Sequence, residues 1–141
     1  FVVAASGNSG QMVSGKDNPY IISVGATDSN DSIANFSSFG KYVDFSAPGV
    51  AVYTTCACSS VSSNSTGTYT NKVDYIYASG TSFSSPMVSG LIGLIMSANP
   101  NLTPSQVYDI LKQSSTDLGV SGRDNYFGWG IIDVNKALTL T

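Results

Sequence analysis

The sequence predicts an α/β fold, a mostly parallel sheet flanked by helices, from three observations. Short apolar runs that end in small turn residues occur at residues 1–5 and 20–26, the pattern of parallel strands buried on both faces. A stretch over residues 81–98 is apolar nearly all round and too long for a strand, which predicts a buried helix. A second helix is announced at Thr103-Pro104-Ser105-Gln106 by a capping box with proline at the first helical position.

Each element follows in order. Residues 1–5 form the first strand and lead into Ser6-Gly7-Asn8-Ser9-Gly10, a loop that continues through Gly15, Asp17, Asn18 and Pro19. Residues 20–26 form the second strand, and the polar residues 27–31 a turn. Residues 42–47 alternate enough for a short strand, Pro48-Gly49 turns, and residues 50–54 are β-branched enough for another. Residues 56–72 are almost entirely Ser, Thr, Asn and Gly, a loop or a hairpin with polar faces. Residues 73–78 make a strand that runs into Gly80-Thr81-Ser82. In the helix that follows, Gly90 and Gly93 are expected to let it approach the sheet closely. Pro86, which lacks an N–H, leaves the Ser82 carbonyl unbonded and makes the first turn irregular. The second helix ends near Ser114, with Leu102 and Val107 as its hydrophobic staple. A short final helix spans 133–138 after Tyr126-Phe127-Gly128-Trp129-Gly130. No internal repeat and no linker divides the chain.

Composition narrows the function. The chain has 141 residues, 42% apolar, with a net charge of −3 and only 11% charged residues. Its six Lys and Arg stand singly, which argues against nucleic acid or an anionic membrane as partner. The longest apolar run, Leu91 to Met96, is too short to span a bilayer. The chain opens at Phe1 in a strand, without Met or signal peptide, and is expected to be a processed or excised piece. Cys56 and Cys58, one residue apart and with no histidine to join them, do not make a metal site. They are left open as thiols or as disulfide partners of each other or of another chain.

Two residues carry candidate chemistry. Ser82 follows Gly-Thr where a strand meets a buried helix, so its hydroxyl sits among free N–H groups at a helix N-terminus, where a developing oxyanion is stabilised. The alternative is that Thr81 or Ser82 merely caps the helix. Asn8 lies just beyond a strand, where open α/β sheets bind ligands, and its amide can donate to an oxyanion. Its alternative is a turn asparagine. The chain contains no histidine, so it cannot supply Ser82 with the usual base. An esterase of the lipase kind is a poor fit, because position 84 is Ser rather than Gly and no histidine follows.

Taken in order, the motifs resemble the subtilisin-like serine proteases, the subtilases of peptidase family S8. Gly80-Thr81-Ser82-Phe83-Ser84-Ser85-Pro86-Met87-Val88-Ser89-Gly90 is similar to their nucleophile segment, and Ala4-Ala5-Ser6-Gly7-Asn8 to their oxyanion-hole segment. Ile22-Ser23-Val24-Gly25-Ala26, Asn35-Phe36-Ser37-Ser38-Phe39-Gly40, Ala47-Pro48-Gly49-Val50 and Tyr126-Phe127-Gly128-Trp129-Gly130 with Asp133, Asn135 and Ala137 are similar to further family segments. The resemblance covers all but residues 56–72. It departs from the family at Ser84, usually Ala, at Met87, often a non-catalytic His, in a short loop between Asn8 and Pro19, and in residues 56–72, which read as an insertion.

The resemblance implies the C-terminal half of a subtilisin-like three-layer catalytic domain over 1–141, with Ser82 as nucleophile. The Ser82 N–H and the Asn8 amide would form the oxyanion hole. Ala5, Ser6 and Gly7 would line the pocket for the residue before the scissile bond, which Thr81 would help to shape, with an apolar or aromatic preference. Subtilase triads run Asp, His, Ser along the chain, so the first two would come from an N-terminal segment of the same protease. Polypeptide substrates, an inhibitory propeptide, and secretion or display at the cell surface are further implications. Catalysis would need no metal or other cofactor, and structural calcium is left open at Asp28, Asn30 and Asp31. The alternative is a non-catalytic subtilase-like binding or regulatory protein.

Overall fold

A computed structural model describes residues 1–15, 17–56 and 74–141. Lys16 and residues 57–73, Cys58 among them, lie outside the described residues. β1 (Val2–Ala5), β2 (Ile21–Thr27) and β3 (Phe45–Pro48) form a parallel sheet in the order β1-β2-β3. Its register sets Val3 beside Ile22 and Val24 beside Phe45. β4 (Val52–Cys56) and β5 (Asp74–Ala78) pair antiparallel, with Tyr53 opposite Tyr77. Cys56, in β4, takes part in a disulfide.

β3 starts three residues later than the alternation of residues 42–47 suggests. Val43, Asp44, Phe45, Ser46 and Ala47 are all buried, so no exposed side exists for an alternating pattern to mark. The reason is the segment before α3: Trp129 N–H donates to Asp44 O at 2.7 Å, Ser46 N–H to Gly130 O at 2.9 Å and Ile132 N–H to Ser46 O at 3.0 Å. These bonds close the β3 edge that β2 leaves free. Gly128 is required there, since a Cβ would collide with the Asp44 carbonyl and φ is +65°.

The α1 helix (Thr81–Ala98) packs across all three parallel strands. Val88, Leu91, Ile92 and Ile95 meet Ile22, Val24, Phe45 and Ala47 in one core. Burial on every side is not what the structure shows. Leu94 is 51% and Met96 42% exposed, and a Cβ at Gly90 or Gly93 would meet nothing within 4 Å. A three-stranded sheet covers only one side of a helix, and these residues lie on the other. At 18 residues and a mean hydropathy of 1.2, α1 is also long and apolar enough to cross a membrane, unlike its longest unbroken apolar run. Here it is a core helix of the sheet. It runs unbroken through Pro86.

In α2 (Pro104–Ser114) the capping box is complete: Gln106 N–H donates to Thr103 Oγ1 at 3.4 Å and Thr103 N–H to Gln106 Oε1 at 2.8 Å. Val107, Ile110 and Leu111 are buried, with Leu102 packed on the same core. Asp133 caps α3 (Val134–Thr139) by accepting from Lys136 N–H at 2.9 Å.

A charge network centred on buried Asp44 ties these parts together. The Asp44 carboxylate accepts from Ser23 N–H at 2.9 Å, Tyr108 Oη–H at 2.9 Å and Arg123 Nη2 at 3.1 Å. Arg123 also donates to Asp17 at 2.8 Å and to Lys41 O at 3.0 Å. Burial raises the Asp44 pKa against these three donors, and burial beside Asp44 pushes the Tyr108 phenol up to about 12. One open side remains. Phe1 is 51% and Val2 56% exposed, and among the described residues β1 pairs only with β2.

Candidate active site

The site forms where β1 ends beside the start of α1. The N-cap of α1 is Gly80, at φ +152° and with no side chain to cap with, so neither Thr81 nor Ser82 serves as the cap. Gly80 is favoured by its backbone, since L side chains rarely adopt φ +152°; a Cβ there would meet Asn8 Nδ2 only at an ordinary 3.4 Å.

The side chain of buried Thr81 turns to the β1 loop instead. Thr81 N–H and Oγ1–H both donate to Asn8 Oδ1, at 2.9 and 2.8 Å, and Thr81 Oγ1 accepts from Gly7 N–H at 3.2 Å. These bonds fix the carboxamide's sense: the oxygen is taken by Thr81, and the Nδ2 donors are left for another acceptor. Ser82, in the first turn of α1, is exposed. Among the described residues neither its hydroxyl nor its N–H has a hydrogen-bond partner. Asn8 sits in a bend and does not have the positive φ of a left-handed turn asparagine, and its side chain bonds across the fold.

The structure therefore joins Asn8, Gly7 and Thr81 in one bonded cluster, with Ser82 next in the chain after Thr81 and outside these bonds. Ala5 ends β1 and is exposed. Ser6 is buried, its carbonyl accepting from Tyr42 Oη–H at 2.7 Å and its hydroxyl unpaired. It lines a small cavity of 260 Å³ with Val13, Gly15, Ser23 and Tyr42. Gly7, at φ +108°, leaves room for Ser38 Oγ, which a Cβ would approach to 2.9 Å. Ser84, the departure from the family pattern, is buried and donates to Pro48 O at 3.2 Å. Thus it braces the turn after β3 and not the site.

The oxygens at 28–31 are organised as a turn. Asp28 Oδ1 accepts from Asn30 N–H at 2.8 Å and Ser32 N–H at 3.0 Å. No group of three or more metal-ligating His, Cys, Asp or Glu occurs among the described residues.

Residues 1–130 match the Subtilase family. The chain belongs to that family. Subtilisin DY of Bacillus licheniformis is 41% identical over 142 residues, a match covering 96% of this chain and 46% of the relative. Halolysin of Haloferax mediterranei is 32% identical over 141 residues, covering 99% of this chain and 24% of that protein. The solved structure of a lanthipeptide protease shares the fold at a TM-score of 0.82 and 23% identity, over 99% of this chain and 50% of that one. This subtilase chain thus spans about half the length of subtilisin DY, at 46%, and less of halolysin, at 24%.

Proposed function

We propose that this subtilase chain is the nucleophile and oxyanion part of a serine endopeptidase. Ser82 Oγ attacks the scissile carbonyl as a histidine takes its proton, and the new C–O bond leaves a tetrahedral oxyanion. Ser82 N–H and Asn8 Nδ2–H donate to that oxyanion, with the N-terminal dipole of α1 behind them. The histidine returns the proton to the leaving amine as the C–N bond breaks, and water then hydrolyses the Ser82 acyl ester by the same path. The observation that carries this reading is the Asn8 carboxamide, held by Thr81 with its donors free beside an unpartnered Ser82 N–H. Ala5, Ser6 and Gly7 form the wall of the pocket for the residue before the scissile bond, with Thr81 at its edge, and polypeptides are the substrates.

The histidine and its aspartate come from another segment of the protease. No histidine occurs in the 141 residues, and the open side of β1 with the exposed side of α1 supports a further layer against them. The catalytic domain would then comprise this chain and that segment. A propeptide that restrains the assembled site, and structural calcium outside the chemistry, belong to the same proposal. Secretion is supported by the Cys56 disulfide, a bond of oxidising compartments, and by a relative described as a minor extracellular protease, from Bacillus subtilis, 34% identical over 145 residues.

The test is labelling by an organophosphate probe after this chain is combined with its Asp- and His-bearing segment. Labelling is expected at Ser82 and lost in Ser82→Ala. Labelling that survives this substitution refutes Ser82 as nucleophile, and an assembled wild type that never labels favours the non-catalytic binding or regulatory reading.

A further inference from the structure

Two residues of the site are already bracketed by Thr81, which holds the Asn8 side chain. The backbone of the same loop has a second support from another part of the sheet. Ser38 N–H donates to Gly7 O at 2.8 Å, and Ser38 Oγ accepts from Ser9 N–H at 3.0 Å. The Ser9 and Ser38 hydroxyls share a further hydrogen bond at 2.9 Å. Ser38 therefore bonds the residue on each side of Asn8 while being only 2% exposed.

The support is itself anchored. Ser37 Oγ accepts from Ala26 N–H at 3.0 Å, which roots the segment in β2. Gly10 N–H donates to Phe36 O at 2.7 Å and Val13 N–H to Phe39 O at 2.8 Å, so residues 36–39 run as a rail beside the loop. The two adjacent serines thus serve opposite sides, Ser37 bonding β2 and Ser38 the loop.

We infer that Ser38 is a positioning residue for the oxyanion hole: it sets the backbone of residues 7–9 so that Asn8 Nδ2 meets the oxyanion. This rests on the reading of Ser82 and Asn8 given above. The hydroxyl touches no reacting atom. Its effect passes through Asn8, and a donor displaced by about 1 Å loses on the order of hundredfold in rate.

The experiment uses the assembled protease with Ser38→Ala, Asn8→Ala and the double variant. Ser38→Ala is expected to lower kcat roughly tenfold to hundredfold with KM within about twofold. Affinity for a peptide boronate, which forms a tetrahedral adduct, should fall by the same factor, while a product-like peptide amide binds as before. In the Asn8→Ala background Ser38→Ala should lower kcat less than about threefold further, since groups acting as a unit are not additive. An equal loss in both backgrounds, or no loss, overturns the inference. Should Ser38→Ala not fold, Ser38→Cys keeps the volume with a weaker acceptor, and full kcat with unchanged boronate affinity in that variant overturns it as well. An assembled wild type that is not labelled at Ser82 ends the active-site reading itself. A labelled wild type with unresponsive Ser38 variants ends only this inference.

Discussion

Thr81 is the residue on which the candidate site turns. Its N–H and hydroxyl both point at Asn8 Oδ1 while its oxygen takes the Gly7 N–H. Thr81→Val preserves the shape and removes two of these three bonds. The Asn8 carboxamide is then held only by the Thr81 N–H and is less firmly oriented. In the assembled protease kcat is expected to fall on the order of tenfold with KM little changed, each hydrogen bond contributing about 1 kcal/mol. Steady-state kinetics on a peptide anilide checks this, and an unchanged kcat refutes the role. Ser82 and Asn8 are legible in the sequence because each sits in a short motif at the end of a recognisable element. The Thr81–Asn8 bond is not, since its partners stand 73 positions apart. Ser38 lies between those extremes: its motif is visible, but which of two adjacent serines faces the loop depends on how the segment lies on β2.

At the scale of elements, α2 is the clearest case of local sequence writing local structure. Its capping box needs only residues three apart, and both reciprocal bonds are present. Thr103→Ala removes the side-chain acceptor and is expected to destabilise the assembled protein by about 1 kcal/mol. This is measured as a lower urea midpoint at unchanged slope. A shift within error would show that the cap is redundant with the packing of Leu102 and Val107. α1 is the opposite case. Its composition is apolar nearly all round, yet burial reaches only the side that meets β1, β2, β3 and the helices α2 and α3. Periodicity cannot mark one side of a helix that carries apolar and small residues on both.

For the whole molecule, two apolar surfaces stand open among the described residues: the free edge of β1 with exposed Phe1 and Val2, and the Gly90, Gly93 and Leu94 side of α1. A parallel strand with one unpaired edge and exposed apolar residues is a pairing template. Residues 1–141 produced alone are expected to self-associate and to unfold without a sharp transition, and the Asp- and His-bearing segment should restore a single cooperative one. Analytical ultracentrifugation and calorimetry distinguish the two states. A monodisperse monomer with cooperative unfolding would remove the need for the partner layer.

What the sequence determined by itself is the order of strands and helices, the start of α2, and the two motifs that hold Ser82 and Asn8. These depend on residues within a few positions of one another, where chain geometry leaves little choice. The tertiary structure alone decided that β3 is closed by residues 129–132, that α1 keeps one side uncovered, and that Thr81 and Ser38 converge on the loop carrying Asn8. Each of those contacts joins segments far apart in the chain. The register of the parallel sheet and the packing of α1 across it select them from many partners that local pattern leaves equally open.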